Sequence, residues 1–135
     1  MSYKVEQIEG IGPAYAAKLE AALILTTEEL LDRCATPAGR KRTAEETGIS
    51  EKLLLKWANH ADLMRIHGIG GQFAELLEAA GVDTVKELRH RVPENLHDKL
   101  VEINEVKNLC NRVPSVSEII RMVIHANEME PMIVY

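Results

Sequence analysis

Ile8-Glu9-Gly10-Ile11-Gly12-Pro13-Ala14-Tyr15-Ala16-Ala17-Lys18-Leu19 decides the fold, because the chain writes this stretch twice. It returns without a gap as Ile66-His67-Gly68-Ile69-Gly70-Gly71-Gln72-Phe73-Ala74-Glu75-Leu76-Leu77, at a constant offset of 58 residues. Between 8–30 and 66–88, 12 of 23 positions are identical, the last of them Thr26/Thr84, Glu29/Glu87 and Leu30/Leu88. Tyr15/Phe73 and Ile24/Val82 are close substitutes. Self-similarity of this extent marks a duplicated structural unit, not a chance Gly-x-Gly.

Each copy has a local logic. Two glycines around one isoleucine permit a turn that other residues tolerate poorly, while Ile11 and Ile69 plug the core beneath it. Pro13 suits the first position of a helix, where no donor is needed. In the helix that follows, Ala16, Leu19 and Leu23 mark an inward stripe, and small Ala16, Ala17, Ala21 and Ala22 allow a neighbour to approach closely. Thr26 and Glu29, like Thr84 and Glu87, have capping-box spacing, so helices are expected to restart at Thr27 and Val85.

The segments outside the repeat also read as helical. Ser2 is placed to cap a short helix over 3–7. Thr36-Pro37-Ala38-Gly39 breaks the pattern, and 40–46 forms another short helix ended by Gly48. Ser50 caps 51–59, whose Leu53, Leu54, Trp57 and Ala58 share a face, with Trp57 read as the centre of the core and not as a base-stacking residue. Ala61–Ile66 then opens the second unit. Beyond Pro93, Leu96, Leu100, Ile103, Val106 and Leu109 or Cys110 point inward along 94–109. Ser115 and Glu118 form another capping box that opens 116–129, with Ile119, Ile120, Val123 and Ile124 apolar. The tail Pro131-Met132-Ile133-Val134-Tyr135 has no helical pattern; packing on the core, disorder and contact with a partner are all open to it, and its apolar character slightly favours packing.

The expectation is an all-α fold, one domain over 1–135. It comprises a first unit at 2–33, connecting helices at 37–60, a second unit at 61–91 and C-terminal helices at 93–130. Composition agrees: 46% of residues are apolar but only 4% aromatic, which suits helices packed with Leu, Ile, Val and Ala more than a sheet.

The net charge of −5 disfavours undirected attraction to nucleic acid or anionic lipid. Residues 1–65 are nearly balanced, with nine basic and ten acidic side chains, against seven and eleven in 66–135, so any contact with a polyanion leans on the first half. Cys34 and Cys110 are isolated and read as buried free thiols. His60, His67, His90, His97 and His125 have no ligand spacing that points to a metal. No nucleophile elbow, phosphate-binding loop or paired-carboxylate arrangement appears, so neither a catalytic residue nor a cofactor nor a small-molecule substrate is expected. The N-terminal residues lack an apolar signal core, and no run approaches the roughly 20 apolar residues of a membrane span. A cytoplasmic location is the default reading.

The pattern Ile-x-Gly-Ile-Gly-x-x-x-Ala-x-x-Leu, followed by a turn and Thr-x-x-Glu-Leu, resembles the helix-hairpin-helix motif, in the variants of recombinase N-terminal domains and the C-terminal domain of the bacterial RNA polymerase alpha subunit. The whole chain resembles more closely a bacterial family of small tandem helix-hairpin-helix proteins known as a domain of unknown function. That likeness rests on Ile8–Tyr15, Thr36-Pro37-Ala38-Gly39-Arg40, Gly48–Leu53, Trp57-x-Asn59-His60-Ala61-Asp62-Leu63 and Asn95-Leu96-His97, and spans about 3 to 128.

The resemblance implies sequence-independent contact with nucleic acid. Outward amides around Gly10-Ile11-Gly12 and at the next helix start, beside the positive end of a helix dipole, suit a phosphate oxygen. Ala14 stands where DNA-binding copies carry Lys or Arg, so charge would come from Lys18, Arg40, Lys41 and Arg42. Gly68, Ile69 and Gly70 form the equivalent turn and are named with the first as contacting nucleic acid, although Gln72 stands where the cation would be and Glu75 and Glu78 oppose a phosphate. Leu23 occupies the place of Gly81, where the family has glycine in both units, and that helix end is expected to be remodelled. Two function classes follow: a weak DNA-binding module acting through the first hairpin, or a protein-interaction or self-associating module in which both hairpins serve folding alone.

Overall fold

The protein, in a computed structural model that describes residues 2–135, consists among those residues of a 3-10 turn at Val5–Gln7 and eight α-helices. These are α1 Pro13–Ala21, α2 Thr27–Cys34, α3 Pro37–Thr47, α4 Glu51–Leu63, α5 Gly71–Ala79, α6 Val85–Leu88, α7 Pro93–Lys107 and α8 Val116–Glu128. The all-α single domain read from the sequence is the observed fold.

The duplication is visible in the backbone. Gly10 and Gly68 turn at φ 95° and 94°, and Gly12 and Gly70 precede their helices at φ −85° and −96°. Thr26 and Thr84 cap α2 and α6 by accepting the amides of Glu29 and Glu87. The ends of α1 and α5 close alike: Leu23 N–H donates to Glu20 O and Ile24 N–H to Leu19 O, while Gly81 N–H donates to Glu78 O and Val82 N–H to Leu77 O. This is a left-handed helix stop, which satisfies the last carbonyls.

The expected remodelling at Leu23 does not occur. Leu23 takes φ 64°, in register with Gly81 at 89°. The Schellman-type bonds hold the turn, and the cost of a left-handed leucine is on the order of 1 kcal/mol. Its side chain gains no burial in return, being 74% exposed.

One helix runs through the middle. α4 packs on α2, α3 and α5, and α8 closes the other side against α6 and α7. Leu54, Trp57, Ala58, Ala61 and Leu63 of α4 are buried together with Ile8, Ile11, Leu19 and Ile24 of the first unit and Ile66, Ile69, Leu76, Leu77 and Val82 of the second. The C-terminal half of α4 is buried all round, so its polar residues need partners. Asp62 accepts from Arg65 Nη1 at 2.7 Å and from Val85 N–H at 2.8 Å. Tyr135 Oη meets Asn59 Oδ1 at 3.3 Å, and His60 Nε2 meets Glu78 Oε2 at 3.0 Å.

Several local expectations are corrected. Ser2 caps no helix: Val5–Gln7 is a 3-10 turn preceded by Lys4 without a side-chain cap. Lys4 instead pairs with Thr26 in an isolated antiparallel bridge, with Val5 N–H to Leu25 O and Thr27 N–H to Tyr3 O. Thr36 to Gly39 is a helix start and not a break, because Thr36 caps Gly39 N–H and Pro37 opens α3. Gly39 is required there, since a Cβ would collide with Arg33 O. α4 passes unbroken through the boundary expected at 60/61 and supplies the opening helix of the second unit itself.

α7 stops at Lys107 with Asn108 at φ 49°. Val106, expected inward, is 83% exposed. The chain turns back there, and Asn104 brackets Cys110 by donating to its carbonyl and accepting its N–H, both at 2.9 Å. On α8 the buried positions are Ile119, Met122 and Ala126, which leaves Ile120 and Ile124 exposed. The tail packs, as its composition suggests: Met132 and Ile133 lie on the core, and Val134 N–H donates to Ala35 O at 2.8 Å.

Candidate functional site

Around the first glycine turn, Ile11 is 5% exposed and holds the loop from below, while Gly10, Gly12, Pro13 and Ala14 are exposed. Only Gly10 requires glycine for its backbone, at φ 95°; a Cβ at Gly12 would meet nothing within 4 Å. α1 begins there with no side-chain cap and no acidic residue in its first turn. In contrast, α2, α4, α6 and α8 each have a Thr or Ser cap and a glutamate in the first turn. The start of α1 is therefore exposed and has no compensating group in its own first turn, a state it shares with α5.

Three side chains stack outward from beneath this turn, ending in a cation from the last turn of α1. Trp57, 1% exposed, lies under it, its Nε1 3.7 Å from where a Cβ of Gly10 would be. The Tyr15 ring meets Trp57 edge-on at 5.0 Å and 67°, a favoured aromatic geometry. Lys18 Nζ sits 5.8 Å from the Tyr15 ring centroid, within cation–π range. The Tyr15 contribution was not visible from spacing alone, since its matched residue Phe73 reads as the same apolar position.

The remaining expected cations divide. Arg40 is turned inward, 5% exposed, and its Nη1 donates to Cys34 O at 3.0 Å and its Nη2 to Val134 O at 2.9 Å. Contrary to its expected place in a phosphate contact, its guanidinium is engaged by backbone carbonyls inside the fold. Lys41 and Arg42 are exposed on α3, which packs against α1. Arg42 lines a depression at the α2–α3 corner with Asp32, Arg33 and Thr36.

The second turn has the same backbone in different surroundings. Ile69 is fully buried. Gly71, the counterpart of Pro13, abuts the first unit: a Cβ there would collide with Gln7 O and lie 3.7 Å from Glu9 N. On the other side Gly68 faces Met122, and a cavity of about 330 Å³ is lined by His67, Glu118, Arg121 and His125 of the loop and α8. Burial and the carboxylates of Glu75 and Glu9 push the Cys110 thiol up. Ile69 is thus buried and Gly70 half-buried beside the first unit, while Gly68, like Gly10 and Gly12, is exposed.

One buried group, His60, escaped the sequence reading, while the buried free thiol expected at Cys34 is present. His60, 0% exposed, has its Nδ1 without a partner, and Glu78 receives both its Nε2 and, at 3.8 Å, Lys56 Nζ. Partial burial raises the Glu78 carboxyl, but the hydrogen bond and charge of His60, with Lys56, outweigh it and leave the group below its usual range. Cys34 is buried, and desolvation lifts its thiol above the ordinary value against the opposing pull of Thr43, Arg40 and Arg33. Neither group opens to a ligand.

No helix among the described residues is long and apolar enough to cross a membrane. No curated protein and no solved structure was found to match the chain. A family model does match, over residues 9–129, and its span takes in both glycine turns, the central helix and the two C-terminal helices. The chain therefore belongs to the family described as Domain of unknown function (DUF4332).

Proposed function

We propose that the protein is a non-catalytic binding module that holds a nucleic-acid backbone weakly, without reading its sequence, through the first Gly-Ile-Gly turn. The units are taken as helix-hairpin-helix motifs on the strength of the sequence pattern. The observation that carries the proposal is the start of α1: exposed, without a side-chain cap and without an acidic residue in its first turn, with Lys18 of the last turn held over the Tyr15 ring of the first. Free amides at a helix start accept a phosphate oxygen, and a contact of this kind positions a strand without discriminating bases. Lys41 and Arg42 add exposed charge on the neighbouring helix. The second turn acts in folding alone.

Weakness is expected from the net charge of −5 and from so few cations. Titration of labelled duplex and single-stranded DNA at two salt concentrations tests the reading. Binding in the micromolar range that weakens with salt is expected, and Lys18→Glu should lower the salt slope by about one phosphate equivalent. Absence of binding at low salt, or binding indifferent to Lys18→Glu, overturns it. A second reading, an assembly module, is favoured by one observation of a different kind, the exposed Leu23.

A further inference from the structure

We infer that the first unit carries a self-complementary surface through which two copies of this chain associate, with Leu23 as its knob. The inference is independent of nucleic-acid binding. Leu23 holds a left-handed backbone at φ 64° and exposes 74% of its surface. The same stop in the second unit uses Gly81, which adopts the conformation freely. Within one molecule Leu23 thus has backbone strain and an exposed apolar side chain, two costs that a partner contact would offset.

The surroundings specify the occupant. Next to Leu23, Leu25 is 47% exposed and lies on the wall of a groove of about 500 Å³, floored by Pro13, Ala16, Ala17 and Ile24. Lys4 stands on its rim with Glu6 and Glu20. A twofold interface requires one patch to hold both halves of every contact. This one does so, with an apolar knob beside an apolar groove and charges of both signs on the rim. A different protein would need only one half of each. Lys18 and Ala14 lie on a neighbouring face of α1, while Pro13 belongs both to the groove and to the start of the helix.

A patch of this extent is smaller than a standard interface, and a weak dimer follows. Sedimentation velocity of the full chain over about a hundredfold range of concentration should show the mean mass rising from one towards two copies. Leu23→Gly, which suits the left-handed position and keeps the fold, should remain monomeric throughout. Val106→Ser, which alters an exposed apolar residue outside the groove, should associate like the parent chain. A parent chain that stays monomeric, a Leu23→Gly variant that associates as strongly as the parent, or loss of association in Val106→Ser overturns the inference.

Discussion

The carboxylate of Asp62 accepts the N–H of Val85 at 2.8 Å, and it stands where the first unit uses a backbone carbonyl. Fifty-eight residues earlier, the matched amide of Thr27 donates to Tyr3 O at the same distance. In the first unit the preceding segment is extended and its carbonyls are free to pair. In the second unit that segment has become the end of α4, whose carbonyls serve the helix, so a side chain takes over. Asp62 is 1% exposed and also receives Arg65 Nη1.

Removing that carboxylate should be costly, because it leaves a buried amide unpaired and Arg65 without its counter-charge. Asp62→Ala is expected to lose about 3 kcal/mol of unfolding free energy. Asp62→Asn keeps an acceptor for Val85 and should lose about half as much. Urea unfolding measures both, and equal losses would mean that charge plays no part.

The glycines of the two turns should differ sharply in their tolerance. Gly71→Pro makes the second copy match the first, but its ring would enter the space of Gln7 O, so the two units must separate. A loss of several kcal/mol or failure to fold is expected. Gly12→Ala has φ −85° and open space and should change stability by less than about 0.5 kcal/mol. Gly81→Ala must hold φ 89° with its Cβ 3.3 Å from Arg91 Nη2, and should lose about 1 to 2 kcal/mol. Thermal midpoints of the three variants check this ordering.

The fold was legible because the repeat, the caps and the apolar stripes are local signals that agree with one another. Thr26, Thr84, Ser50 and Ser115 cap as their spacing requires. What the sequence did not show depends on contacts distant along the chain. Val106 continues the helical stripe of α7 but emerges from the core because the chain reverses beyond Lys107. Arg40 sits in a basic run that reads as surface, yet a carbonyl 94 residues away draws it inside. The candidate site was half legible: the turn and Lys18 follow from the motif, whereas the Trp57–Tyr15 support and the fit of Gly71 against Gln7 follow from packing between units.

Arg40 should therefore behave as a structural residue. It ties the α2–α3 corner to the tail through Cys34 O and Val134 O, and Val134 N–H returns to Ala35 O. Arg40→Lys cannot span both carbonyls with one ammonium and is expected to cost about 1 to 2 kcal/mol. Hydrogen exchange at Val134 should accelerate in the variant while exchange in α5 stays as in the parent chain. DNA affinity that falls in Arg40→Lys with no change at Val134 would restore Arg40 to the phosphate contact.

The start of α8 should give the chain a measurable acid dependence. Arg112 holds Glu118 bidentately at 2.8 and 2.9 Å, and Ser115 N–H donates to the same carboxylate at 3.0 Å. The Arg112 hydrogen bonds and the Ser115 amide lower the Glu118 carboxyl from 4.5 to about 2. Because the folded value lies below the unfolded one, the stabilisation is complete above pH 4.5 and is lost as pH falls towards 2. The difference in urea midpoint between the parent chain and Glu118→Gln should accordingly be present at neutral pH and shrink through that window. Added salt should reduce it as well, since the pair is solvated. A difference that persists unchanged at pH 2 would assign the effect to the neutral capping bond and not to the charge.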